Sequence, residues 1–235
     1  MKRKRIKAAV CATVMAFTLF GSLCPVDYHF MRETSVTASA EAAIWDGTED
    51  TSWYYREHDV IVSENGERIA IFNIRTAEEL AGLAKLVRNG NSMKNTMINL
   101  VSDVTLNDTT NFDNWDEQPP ANNWTAIGAV PIEAPNVNLV MTIQPECRNT
   151  VFAGMFNGNG HTISGMYSLH HNYAGLFART SGIITNVIVK DSYIQCINTQ
   201  KVESGDTALW EACAGGITAI CDRGVISHCE FDGKI

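Results

Sequence analysis

Hydrophobic and polar positions change their rhythm several times along the chain. Ala8 to about Leu23 is one apolar run behind the basic head Lys2, Arg3, Lys4, Arg5 and Lys7. From Asp59 to Ile74, "DVIVSENGERIAIFNI" places two apolar stretches around Asn65-Gly66, the pattern of a β-hairpin. "RTAEELAGLAKLVRNGN" then sets Leu80, Leu83, Ala84 and Val87 on one face at helical spacing. Thr76 and Glu79 make a capping box there, and Gly90 stands where the helix should stop. Beyond Gly90 the apolar positions fall into short runs such as "TMINLV", "VTL", "TAIG", "GMF", "HTI", "GLFA", "IITNVIV", "SYIQCI", "GGITAI" and "VISHCEF". Gly, Asn or Asp separates most of them and no helical pattern intervenes. The spacing predicts an all-β chain with a single helix.

Two of these runs repeat. "GIITNVIVK" (182–190) and "GVISHCEFD" (224–232) share glycine, two apolar residues, two polar residues and then apolar-x-apolar. Halving their separation places Ile163 and Met166 one period before Ile184 and Val187, with a copy near 205 interrupted by "NTQKVESGDTALWEA". A period of ~20 residues built from short strands predicts a solenoid, because one such segment cannot bury its own apolar face. Within it, "FNGNGHTISGM" (156–166) is a bend rather than a phosphate loop: no helix follows Gly160, and no Lys-Ser/Thr follows the glycines. Gly158 and Gly160 are expected to supply backbone angles that a Cβ disfavours. Asn157 and Asn159 tolerate similar angles, and stacked corner asparagines can bond along a solenoid. His161 begins the next strand.

Between 45 and 235 the chain resembles the extracellular GLUG-repeat proteins of bacteria. The pieces that carry the resemblance are "WDGTEDTSWY", "IRTAEELAGLAKLVRNGNSMKNTMINLVSDVTLND", "WTAIG", "FAGMFNGNGHTISGM", "AGLFARTSGIITNVIVKDSYI" and "AGGITAICDRGVISHCEFDGKI", in that order. The motif falls on Gly175, Leu176 and Phe177, with Gly158, Gly160, Gly182, Gly215, Gly216 and Gly224 at the bends. Two departures stand out: Ala178 replaces the motif's final glycine, and residues 129–150 lengthen a connection that is short in the family. The resemblance implies a right-handed parallel β-helix with an N-terminal capping helix. It also implies an adhesin-like surface protein, or a stalk of the kind found in immunoglobulin-A metallopeptidases. The expected organisation is a signal peptide over 1–40, a β-rich entry segment over 41–75, the capping helix over 76–90 and the β-helix over 91–235. The chain stops at "CEFDGKI" inside a segment, so a C-terminal continuation or a partner is expected over the open end.

Charge and export change the picture next. Ala38-Ser39-Ala40 supplies a peptidase site behind the apolar run, so export with cleavage between Ala40 and Glu41 is expected, and a secreted or cell-wall location with it. Removing 1–40 takes six of the 18 Lys/Arg and two of the 26 Asp/Glu, leaving 12 basic and 24 acidic residues. Such a chain lacks the electrostatic footprint for nucleic acid or anionic lipid, and nothing after Leu23 is suited to span a membrane. Five cysteines remain, Cys147, Cys196, Cys213, Cys221 and Cys229, without a C-x-x-C. One disulfide among the last four fits an oxidising compartment, and small buried thiols stacked between strands are the blander, favoured reading.

Candidate chemistry is sparse. There is no H-E-x-x-H and no G-x-S-x-G. His170-His171 sits in an expected solvated turn. His228 and Cys229, as strand neighbours, point to opposite faces. In "NDTTNFDNWDEQPPANNW" (107–124), Asp108, Asp113, Asp116 and Glu117 offer oxygens for calcium without a compact calcium-loop spacing. Asp113, Trp115, Asp116 and Trp124 are the candidate binding residues, the tryptophans as flat faces for a sugar. The other reading is a tryptophan packed over the end of the coil, which is the expectation for Trp124 in "WTAIG". No catalytic residue, metal or obligate cofactor is assigned. The expected function is a non-catalytic module binding extracellular glycan or host protein. The alternative is a carbohydrate-active β-helix enzyme, a lyase or glycosidase, using carboxylates of that loop.

Overall fold

A computed structural model describes residues 43–129, 150–170, 173–197 and 213–235. The expected signal peptide with its Ala40/Glu41 cut, Cys147, His171, most of the 129–150 insertion and the stretch 198–212 lie outside these residues.

Among them are fifteen strands and one α-helix. The hairpin is β1 (Asp59–Val62) and β2 (Arg68–Ile74), and α1 (Ala77–Arg88) follows. Next come β3 (Thr96–Leu100), β4 (Val104–Thr105), β5 (Met155–Asn157), β6 (Thr162–Ser164) and β7 (Tyr167–His170). Then follow β8 (Tyr173–Ala174), β9 (Phe177–Thr180), β10 (Ile183–Thr185) and β11 (Ile188–Cys196). The last are β12 (Cys213–Ala214), β13 (Thr218–Cys221), β14 (Val225–Ser227) and β15 (Glu230–Lys234).

The helix forms where its caps are. Thr76 Oγ1 accepts from the Glu79 N–H at 3.2 Å, while Glu79 Oε2 accepts from the Arg75 N–H at 2.7 Å. At the other end Gly90 has φ +95°, its N–H bonds the Val87 carbonyl and the Asn91 N–H bonds the Leu86 carbonyl. That is the paired closure favoured by glycine just past a helix. The sequence pattern shows one apolar face, yet Ala81, Gly82 and Leu86 are buried as well. The entry segment crosses the second face: Trp53 Nε1 donates to the Glu79 carbonyl at 3.0 Å. A Cβ on Gly82 would lie 1.9 Å from the Asp50 carbonyl oxygen, so only glycine allows that crossing.

β1 and β2 pair antiparallel, and all other paired strands run parallel. One sheet has the order β1-β2-β3-β5-β10-β14, a second β15-β11-β6-β4 with β7 beside β11, and two small sheets join β12 to β8 and β13 to β9. Parallel neighbours must come from segments distant in sequence, and here they match side chain for side chain. Phe72, Ile98, Phe156, Ile184 and Ile226 occupy one register column of the first sheet. Val104, Ile163, Val189 and Phe231 occupy one of the second. All of these except Ile226, with Phe231 partly buried, share a single core with Trp124, Leu176, Phe177 and the buried face of α1.

These registers correct the expected period. Ile184 pairs directly with Ile226, so no copy near 205 intervenes, and Ile163 pairs Val189 rather than preceding Ile184. Ladder partners are separated by 26 residues at Asn73/Asn99, 58 at Asn99/Asn157 and 42 at Thr185/Ser227. The separation changes with the length of sequence between strands, and halving the one of 42 has no structural counterpart.

Glycine and asparagine line the two ends of the β5-β10-β14 ladder. A Cβ on Gly182 would lie 2.0 Å from the Gly154 carbonyl oxygen, and one on Gly224 would lie 2.6 Å from that of Gly182. On the other side the amides of Asn73, Asn99, Asn157 and Asn186 bond in series at 3.2, 3.4 and 3.0 Å. The 156–166 bend therefore divides its labour. Gly160 has φ +77° and open space around it, as expected, and Asn159 has φ 51°. Gly158 serves a different need, because a Cβ there would sit 2.3 Å from the Asn186 carbonyl oxygen, and Asn157 belongs to a strand. Gly175, Gly215 and Gly216 are likewise crowded, by Gly215 O, Thr218 O and the Phe231 ring. Leu176 and Phe177 are buried in the core, and Ala178 is buried with Ala126 and Ala129.

Candidate functional site

An open recess lies beneath the 107–124 segment. Leu106, the residue after β4, is buried in the core, and the next residue, Asn107, clamps the segment shut at its base. Asn107 Nδ2 donates to the carbonyls of Asn122 and Gly165, both at 2.9 Å, and its Oδ1 accepts from the Asn122 N–H at 2.9 Å. Asn122 Nδ2 in turn donates to the carbonyls of Trp45 (2.7 Å) and Leu106 (3.1 Å). Two asparagines thus satisfy buried backbone groups that a strand ladder would otherwise serve.

Between the clamped ends the segment makes its own turns. Asp108 Oδ1 accepts from the Thr110 N–H at 2.9 Å, and the backbone and side-chain hydrogen bonds of Thr110 hold the Asp108 carboxyl below its ordinary range. Phe112–Asn114 forms a short 3-10 turn. Trp115 packs edge-on against Phe112 at 5.3 Å and Tyr167 at 6.1 Å, and Tyr167 stacks on Tyr193 at 5.6 Å. Burial, and then the neighbouring Tyr193, push the Tyr167 hydroxyl above its usual value. Lys234 reaches across from β15: its Nζ donates to the Asp113 carbonyl at 2.7 Å and lies 5.1 Å from the Phe112 ring centre. The resulting open recess, about 500 Å³, is lined among others by Ile44, Trp45, Asp108, Trp115, Gln118 and Pro119.

The candidate residues do not come together there. Trp115 reaches the recess but is only 2% exposed, and Trp124 is 1% exposed. Trp124 packs edge-on against Trp45 at 5.8 Å and donates its Nε1–H to the Leu176 carbonyl at 3.3 Å. Both rings are spent on internal packing, which is the packed alternative for Trp124 and goes against the sugar-platform reading of the pair. Asp113, 93% exposed in its side chain, and Asp116, also exposed, stand outside the lining of the recess. Of the four possible calcium carboxylates only Asp108 lines it, and among the described residues no three His, Cys, Asp or Glu side chains converge on a metal-sized point. The clamping pair Asn107 and Asn122 went unread in the sequence, where asparagines beside a polar loop look like ordinary turn residues.

Other polar groups serve the fold. His161 Nδ1 lies 3.1 Å from Asp103 Oδ1, and the same oxygen accepts from the Thr162 N–H at 2.9 Å, pinning the start of β6. His170 ends strand β7 opposite Cys196, rather than lying in a solvated turn. His228 has φ 53° and makes the corner between β14 and β15, so it and Cys229 are not strand neighbours. Cys229 Sγ faces the carbonyls of Ser227 (3.2 Å) and Ile184 (3.8 Å), and burial raises its pKa. Cys196, Cys213, Cys221 and Cys229 are all thiols. Compared with known protein families, characterised proteins and solved structures, the chain matches none.

Proposed function

We propose that the chain is an exported, non-catalytic surface module whose parallel strands wind as a right-handed β-helix of GLUG-like segments. Its N-terminal end is closed by α1, and its rigid flank meets extracellular glycan or host protein, or carries other domains as a stalk. The asparagine series carries this reading. Four amides from segments far apart in sequence bond one to the next, which asks for segments stacked at a constant spacing. The glycine column and the inward register columns ask for the same spacing. A structure so repetitive resists bending, which suits display better than a reaction that closes around a substrate. The 107–124 segment fits this role as a polar protrusion fastened at its base, with exposed Asp113 and Asp116 at hand for a polar partner.

The function is tested by presenting the secreted protein to an array of glycans and matrix proteins, and separately to a polysaccharide panel with detection of new reducing ends or unsaturated products. Saturable binding without turnover is the expected result. Turnover that disappears in Asp113→Asn or Asp116→Asn would replace this reading with the lyase or glycosidase one. Immunoblots of cell wall and medium test the location, and retention of the protein in the cytoplasm would end the proposal.

A further inference from the structure

We propose that Cys196 and Cys213 are a disulfide-forming pair that fastens the end of β11 to the start of β12. Cys196 is the last residue of β11 and Cys213 the first residue of β12. Both strands lean on the same preceding stretch of chain. Cys196 stands opposite His170, the Ile197 N–H bonds the His170 carbonyl at 2.8 Å, and Cys213 stands opposite Tyr173. β11 and β12 also pack against one another.

The Cys213 backbone N–H reaches the Cys196 sulfur: burial raises the pKa of that thiol most, this hydrogen bond lowers it, and the Cys213 side chain raises it again. A disulfide asks for two cysteines on adjoining pieces of backbone, which the end of β11 and the start of β12 are. The remaining described cysteines are placed for other work. Cys229 Sγ is turned to two carbonyls, and Cys221 lies at the far end of β13, exposed and opposite Thr180.

The chemistry needs an oxidant, and a small disulfide such as oxidised glutathione supplies it. One cysteine thiolate attacks a glutathione sulfur, the glutathione S–S bond breaks and one glutathione thiolate leaves. The second cysteine thiolate attacks the mixed disulfide and releases the other glutathione. Two cysteine thiols are oxidised, one glutathione disulfide is reduced to two thiols, and the two cysteine protons end on them. The bond would close a loop across the sequence between β11 and β12, restricting the unfolded chain.

The test uses the full chain, purified and equilibrated over a series of oxidised-to-reduced glutathione ratios. Remaining thiols are then blocked with N-ethylmaleimide, and the protein is digested without reduction for mass spectrometry. The expected result is a cross-linked pair of peptides carrying Cys196 and Cys213, an intact mass lower by two hydrogens, and a melting temperature higher by several degrees than that of the reduced protein. Cys221→Ser and Cys229→Ser should leave the link unchanged, and Cys196→Ser should leave Cys213 trapped with glutathione. Full blocking of both thiols at every ratio would overturn the proposal, and so would a dominant link of either one to Cys147, Cys221 or Cys229. If Cys196→Ser does not fold, the wild-type peptide map decides alone. Because the oxidant is added to purified protein, the outcome does not depend on export or on what the module binds.

Discussion

Ile184 and Ile226 are the same residue at the same place in two neighbouring segments, yet one is sealed and the other is 40% exposed. Ile184 lies between Phe156 and Ile226, whereas among the described residues Ile226 has a partner on one side alone. The same contrast separates the middle of the first sheet from its margins. Ile98 and Phe156 are buried, while Val60, Ile61 and Val62 on β1 and Val225 on β14 are exposed. A residue's own segment thus decides very little of its burial here. Neighbours on both sides decide it in this parallel ladder of short strands.

The largest effect should come from truncating the sealed partner. Ile184→Ala is expected to cost about 4 kcal/mol in urea unfolding and Ile226→Ala under about 1 kcal/mol, since the cavity term needs enclosing walls. Equal losses would break the comparison. The glycines give the next contrast. Gly182→Ala, which drives a Cβ into the Gly154 carbonyl, is expected to cost about 3 kcal/mol. Gly160→Ala meets open space and bears only the positive φ, about 1 kcal/mol.

The asparagines sharpen the comparison at smaller scale. Asn157 bonds Asn99, Asn159 and Asn186, while Asn73 accepts only from Asn99. Asn157→Ala should cost about 1.5 kcal/mol and Asn73→Ala about half that, both read from the shift in urea midpoint. The smallest effect concerns pH and the entry segment. Burial works to raise the pKa of Glu49, but the Arg88 hydrogen bond and charge, followed by those of Lys85, outweigh it and leave the carboxyl below its ordinary 4.5. A depressed carboxyl stabilises the fold above its unfolded pKa and loses that contribution as pH falls through the folded value. The melting-temperature gap between wild type and Glu49→Gln should therefore be present at neutral pH and vanish in acid below 4.5. A gap that persists in acid would remove the ion pairs from the account.

Much of the local structure was legible in residues close together in sequence. Thr76, Glu79 and Gly90 mark the ends of the helix because capping groups act within four residues of their targets. Asn65-Gly66 marks the hairpin for the same reason. The candidate site was much less legible. A tryptophan that seals a core and one that offers its face are the same letter, so the sequence does not separate the two readings of Trp115. His170 belongs to a strand rather than a turn, which is not legible locally because its partner, Cys196, is remote in sequence.

The sequence by itself determined that the chain would be strand-rich with one capped helix, that glycines would sit at its bends and that asparagines would stack. Each follows from backbone preferences and side-chain chemistry that act over a few residues. The tertiary structure alone decided which segments are neighbours, that Gly158 is needed for space rather than for its backbone angle, and that Asn107 and Asn122 fasten the polar segment. Those outcomes depend on parallel pairing between strands whose separation changes with every insertion. A local pattern names what must be buried but not the distant strand that buries it.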